Sequence, residues 1–166
     1  MFHVNDYVMY GTKGACQIID IGRIDFGKKN TDYYFLKPIA DQSGTLYVEV
    51  GSDKVRMRNV VSKEEANQII ERMEDAKGIW IEEEKSREKT YREAIESGNC
   101  DELVGLLKGL YERKEARIQE GKKVTDVDGR AFAKAEGLLH GELAVALEIS
   151  IEDVEDYIKN HNSAMA

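Results

Sequence analysis

The chain has 166 residues, with 24 lysines and arginines against 32 aspartates and glutamates, a net charge of −8. At 42% hydrophobic and 34% charged residues it carries too much apolar material for a disordered polymer, and its length fits one domain or two small ones. No apolar run approaches the roughly 20 residues that span a bilayer, and Met1 to Tyr7 lack the basic-then-apolar order of a secretory signal. Cys16 and Cys100 lie far apart, which points to a reducing cytoplasm rather than a disulfide or zinc framework. Taken alone, the −8 argues against a nucleic-acid partner, whose footprint is normally basic.

Composition changes near residue 61. Most of the tyrosines and many β-branched residues come before it, and most of the Glu, Ala, Leu and Lys come after. The first third reads as short strands between turn signals. Tyr7–Tyr10 is followed by Gly11-Thr12-Lys13-Gly14, and Ala15–Ile21 by Gly22. Gly27-Lys28-Lys29-Asn30 reads as a hairpin loop between strands at Arg23–Phe26 and Asp32–Leu36. After the turn Asp41-Gln42-Ser43-Gly44, Thr45–Val50 is strongly β-prone, and Gly51-Ser52-Asp53 leads into a last strand at Val55–Val61. The single proline, Pro38, falls at a strand end, where a missing amide costs little. Five short strands in about 60 residues predict a small, strongly bent sheet of the SH3-like or Tudor-like kind.

The remainder predicts about five helices. Ser62 with Glu65 forms a capping box before Ala66, Ile69, Ile70 and Met73. Gly78 reads as a stop, and a second helix runs from about Ile79 to Glu96, ending at Ser97-Gly98. Asn99 with Glu102 starts a third, with Leu103, Leu106, Leu107, Leu110 and Tyr111 as its apolar stripe. Thr125 with Asp128 starts a fourth, carrying Phe132, Ala135, Leu139, Leu143 and Leu147. Ser150 with Asp153 starts a short fifth, and a frayed tail is expected at 161–166. The fold class is therefore α+β, with a small β-barrel followed by an all-α domain.

Catalysis leaves little trace. His3, His140 and His161 share no metal-ligand spacing with each other or with the cysteines, and the glycines do not form a phosphate-binding loop. Cys100 at a helix start is the one candidate nucleophile, and without a partner histidine it reads as an inert thiol. No catalytic residue, metal or cofactor is expected.

Charge is sorted along the chain: residues 1–60 carry +1, 61–79 carry −2, 80–134 carry −1 and 135–166 carry −6. Twelve basic groups lie within 80–134, interleaved with acids in pairs such as Glu83/Arg87 and Glu88/Arg92. On the second helix, Lys85, Lys89 and Arg92 fall within about 60° of one another at 100° per residue. The set reads either as a solvated face or as a stripe that grips phosphates. Trp80, the sole tryptophan, shares a helical face with Tyr91, which favours burial in the core. Its place after Gly78 at an element boundary also permits projection, where a large ring can stack on a base or wedge into a base step.

Five passages, in order, resemble one family. They are Phe2 to Tyr10 with Gly14-Ala15, Thr45 to Val48, Val55 to Ser62, Trp80 before a charged helix ending Ser97-Gly98-Asn99, and Arg130 to Ala135 with Leu138-Leu139 and Gly141 to Ala144. Their order and spacing are similar to the CarD/CdnL family of bacterial transcription regulators. The resemblance implies a Tudor-like domain at 1–60, shared with the transcription-repair coupling factor, that binds the RNA polymerase β subunit, here through Arg23, Tyr47, Glu49 and Arg56. It implies a helical domain at 61–160 that contacts promoter DNA at the upstream edge of the melted region, with Trp80 entering the minor groove. With that tryptophan, the DNA-contacting set is expected to comprise Lys85, Arg87, Lys89, Arg92, Arg113, Lys114, Arg117, Arg130 and Lys134.

The expected protein is thus a non-enzymatic, monomeric regulator in the bacterial cytoplasm, brought to the nucleoid by RNA polymerase and stabilising the open promoter complex without reading sequence. The rival reading is a protein–protein adaptor whose β-barrel binds a peptide, with no direct DNA contact. The acid excess lies mostly in the last 32 residues, so the −8 does not exclude DNA; it predicts weak binding to free DNA and delivery by the polymerase.

Overall fold

The structure, a computed structural model, describes residues 1–52, 56–81 and 83–165. The expected start of the last strand at Val55, with Asp53 and Lys54, lies outside the described residues, as do Glu82 and the final Ala166. Five strands, β1 (Tyr7–Tyr10), β2 (Gly14–Gly22), β3 (Tyr33–Pro38), β4 (Leu46–Glu49) and β5 (Met57–Asn59), form one antiparallel sheet in the order β4-β3-β2-β1-β5. A short 3₁₀ turn, Gly11–Lys13, joins β1 to β2. A register shift between Ile18 and Asp20 bulges β2 against β3, the device that bends a sheet of this size around its own core.

Side-chain alternation decides the faces. Val8, Cys16, Ile18, Tyr34, Leu36 and Val48 point to one side and form a buried cluster, with Phe2, Tyr10, Ile21, Leu46, Val50 and Met57 packed on it. Their chain neighbours Met9 and Ala15, paired across β1 and β2, are buried on the opposite side. The expected strand at Arg23–Phe26 does not form. Gly27 donates to Ile24 O at 3.2 Å and Lys28 N to Tyr33 Oη at 3.0 Å, so the backbone is spent on a local turn and β2 enters it directly.

Among the described residues there are five α-helices: α1 (Lys63–Arg72), α2 (Glu84–Ser97), α3 (Cys100–Gln119), α4 (Asp126–Leu147) and α5 (Val154–Met165). Ser62, Asn99 and Thr125 cap α1, α3 and α4, each accepting from the amide three residues on. Ser150 instead bonds the Asp153 carboxylate, and a 3₁₀ turn, Ile151–Asp153, leads into α5. The tail expected to fray at 161–166 is helical to Met165. His161 reaches Glu71 at 3.1 Å, and Tyr157 donates to Asn67 at 2.7 Å, tying α5 to α1. The second apolar cluster lies among the helices, with Ile70, Leu103, Leu106, Leu139, Leu143 and Val154 almost wholly buried. Each such side chain contributes roughly 2 kcal/mol by removal from water. No described helix is long and apolar enough to cross a membrane.

Contacts between the sheet, its 3₁₀ turn and the helices include the following. Gly14 of β2 lies under Leu138 of α4 with no room to spare. Lys134 donates to Thr12 O at 2.6 Å. Arg58 of β5 grips Glu142 of α4 through two hydrogen bonds of 2.6 and 2.7 Å.

Candidate nucleic-acid interface

The second helix begins at Glu84, not near Ile79, so Trp80 stands on a non-helical segment before it. Burial alternates along it: Ile79 and Ile81 pack against the helical core, and Trp80 between them has 59% of its surface exposed. Burial beside Tyr91, which the helical-face reading favoured, does not occur. Tyr91 is itself buried, but on α2, one structural element further on.

The segment is seated on α3. The Ile79 amide donates to Gly105 O at 3.0 Å, so a helix carbonyl serves a second donor. Gly109, one turn later, faces the same peptide: a Cβ there would lie 2.9 Å from Ile79 N and closer still to its carbonyl oxygen. Arg87, only 8% exposed, reaches back from α2 to donate to Ile81 O at 3.2 Å. Gly105 and Gly109 escape sequence reasoning because their reason lies some 25 residues upstream; the only trace is two glycines four apart inside an apolar helix.

The ten DNA-directed candidates divide. Lys85, Lys89, Arg92, Lys114 and Arg130 are exposed, and the first three share one face of α2, where Lys89 lies 3.9 Å from Glu93. Arg87 is removed from the phosphate-facing set: it is buried and pins Ile81, and it is not the solvated partner of Glu83 that the spacing predicts. Arg113 is likewise turned inward, its Nε on the Asp128 carboxylate. That carboxylate, 4% exposed, also accepts from Tyr91 Oη at 2.9 Å, so one acid ties α2, α3 and α4 together. Arg117 donates to Lys123 O at 2.8 Å and closes the end of α3. Lys134 is exposed but holds the Thr12 carbonyl.

The polymerase-directed candidates divide too. Register places Phe35 opposite Tyr47 and Tyr33 opposite Glu49, on the sheet face away from the core. There Tyr47 stands edge-on between Phe26 and Phe35, with ring centroids 5.1 and 5.0 Å away. Phe26 is 74% exposed. Glu49 pairs with Lys28 at 2.9 Å, and Arg23 lies near Asp32 and Asn30. Arg56 does not join them: it precedes β5, at the opposite edge of the sheet from β4. Phe26 belongs to this face, and its trace in the sequence is a large aromatic directly before the turn Gly27-Lys28-Lys29-Asn30.

Glu142, within the passage Gly141 to Ala144, has a role that its sequence neighbours do not reveal. It is wholly buried and takes Arg58, the Val61 amide at 3.0 Å and the Cys100 thiol at 3.1 Å. It lies within the apolar stripe of α4, between Leu139 and Leu143, where a glutamate needs a partner. Burial first and the Glu142 charge second push the Cys100 thiol up to about 12, so at neutral pH it is a protonated donor and not a nucleophile. Burial lowers the pKa of His140. Among the described residues no cluster of His, Cys, Asp and Glu suits a metal ion.

No curated protein gives a significant match to the chain. Residues 2–61, which hold the sheet and its lead-in, match the family described as the CarD-like/TRCF RID domain, a family of RNA polymerase-interacting domains, and the match supports a transcription-related protein-interaction role for this part of the chain.

Proposed function

We propose that the protein is a non-enzymatic transcription regulator that binds the RNA polymerase β subunit through its sheet and stabilises the open promoter complex by placing Trp80 against DNA at the upstream edge of the bubble. One observation carries the DNA half. The sole tryptophan is exposed on a segment seated on α3, followed directly by a helix whose exposed face bears Lys85, Lys89 and Arg92. A large ring held rigidly outside its own core loses little freedom when it stacks on a base or enters a base step. The polymerase half is supported by the domain match and by the Phe26–Tyr47–Phe35 cluster beside β4, an edge strand with β3 as its partner.

Neither contact reads base sequence, so promoter choice stays with the polymerase. The chain is acidic overall, so the lysines and arginine of α2 bind free DNA weakly, and polymerase attachment raises their effective concentration at the promoter. A protein that binds the open state better than the closed state shifts the equilibrium by that difference. It acts as a monomer in the bacterial cytoplasm.

A photo-crosslinking amino acid at position 80 of the full chain tests this, in complex with polymerase and a promoter fragment. Crosslinks to the upstream edge of the melted DNA are expected. Crosslinks confined to protein would replace this reading with the adaptor.

A further inference from the structure

We infer that Gly78, Gly109 and Arg87 are positioning residues for Trp80, holding the strap 78–81 on the path that keeps the indole outside the helical core. The functional consequence rests on the reading of Trp80 as a DNA contact; the geometry does not.

Glycine inside a helix is unfavourable relative to alanine, so a buried glycine in mid-helix calls for a contact that only it permits. At Gly109 that contact is the backbone of Ile79, with N 2.9 Å and C 3.0 Å from an added Cβ and the carbonyl oxygen nearer. The approach is mutual: a Cβ on Gly78 would lie 2.9 Å from Gly109 N and 3.0 Å from Gly109 Cα. These neighbours are backbone atoms, which cannot swing aside as a side chain does. Gly105 completes the seat, its carbonyl accepting from Ile79 N at 3.0 Å. Gly137 of α4 supplies the contrast, since an added Cβ there meets nothing within 4 Å.

The other end of the strap is held by a hydrogen bond. Arg87 is buried, and its Nη2 donates to Ile81 O at 3.2 Å. With Ile79 fixed at one end and Ile81 at the other, both inward, the residue between them faces out. The three residues thus define the orientation of a ring that none of them covers.

Because Trp80 is the sole tryptophan, indole fluorescence of the full chain reports this segment alone. Gly109→Ala and Gly78→Ala, with circular dichroism as the check on folding, are expected to lower the indole anisotropy and raise its quenching by acrylamide. Arg87→Met should move both readouts the same way, and Gly137→Ala should leave them at wild-type values. The open-complex lifetime with polymerase should fall toward that of Trp80→Ala for the first three and stay unchanged for the fourth. Folded Gly109→Ala and Gly78→Ala chains with wild-type anisotropy and quenching would overturn the inference. So would a displaced indole with a wild-type lifetime when Trp80→Ala shortens it. A displaced indole with Trp80→Ala itself silent supports the strap and removes the DNA reading instead. If Gly109→Ala does not fold, Gly78→Ala, which lies outside any helix, decides.

Discussion

Arg58 and Glu142, 84 residues apart, meet in a bidentate pair that joins the last strand of the sheet to the middle of α4. The carboxylate is wholly buried, and the guanidinium also donates to Gly98 O at 2.7 Å. Gly98 is in the left-handed region (φ 63°) and ends α2, so this one arginine touches the sheet, the end of α2 and α4. A buried pair of this kind is weak evidence for stability, but removing one partner leaves a buried charge uncompensated. Arg58→Met should lower the unfolding free energy by roughly 2–4 kcal/mol in urea titration. A loss below about 0.5 kcal/mol, the scale of an ordinary surface substitution, would show that the clasp is not a structural joint.

Asp128 is the corresponding joint among the helices. Its amide bonds the Thr125 cap while its carboxylate holds Tyr91 and Arg113. Asp128→Ala leaves the buried Tyr91 hydroxyl and the part-buried Arg113 guanidinium without their partner, which costs about 2–4 kcal/mol. Calorimetry should show a lowered Tm; an unchanged Tm would mean that water replaces the carboxylate without penalty.

The basic residues separate by experiment. Lys85→Gln and Lys89→Gln should leave thermal stability within about 0.5 kcal/mol of wild type and reduce the salt slope of promoter-complex binding by about one each. Arg113→Gln should do the reverse, lowering Tm with little change in slope. Equal salt slopes for Lys85→Gln and the wild type would remove α2 from the DNA interface.

Both thiols are held protonated in the fold, Cys16 up to about 11 by burial and Cys100 up to about 12 by burial and the Glu142 charge. Their pKa values are raised above the unfolded value of 9.0, so the folded state binds more protons above that pH. Their contribution is fully present below pH 9 and is lost as pH rises toward 11 to 12. The slope is about 1.4 kcal/mol per pH unit for each thiol at most. Urea midpoints should therefore fall above pH 9 and fall less steeply in a Cys16→Ala/Cys100→Ala variant, the remainder coming from Tyr91, whose pKa burial and Asp128 also raise. An equal slope in the variant would contradict this account of the thiols.

What could be read from the sequence follows the range of the forces involved. Capping signals at Ser62, Asn99 and Thr125 are local, spanning four residues each, and they mark three helix starts correctly. Strands with clear alternation, such as Tyr7–Tyr10, were equally legible. The misplaced start of α2 shows the limit. Glu83 and Glu84 give no hydroxyl or amide cap, and Ile79 before them is bonded to Gly105 of α3, an element not yet in view when the chain is read from its start. That single shift turned a helical-face argument for burying Trp80 into an alternation that exposes it. Arg87 and Lys85 look alike in a charge count, but Arg87 shares the buried face of α2 with Tyr91 and Ala94 and bonds Ile81 O, while Lys85 is exposed. Glu142 was visible as an acid in an apolar stripe, but its partner on β5 was not.

The account turns on Trp80, and the most direct measurement is the lifetime of the polymerase–promoter open complex after challenge with a competitor, with the wild-type chain and with Trp80→Ala. Because Trp80 lies outside both apolar clusters, Trp80→Ala should retain the wild-type Tm and polymerase affinity and lose most of the added lifetime. A full wild-type lifetime with Trp80→Ala bound to polymerase would contradict the account.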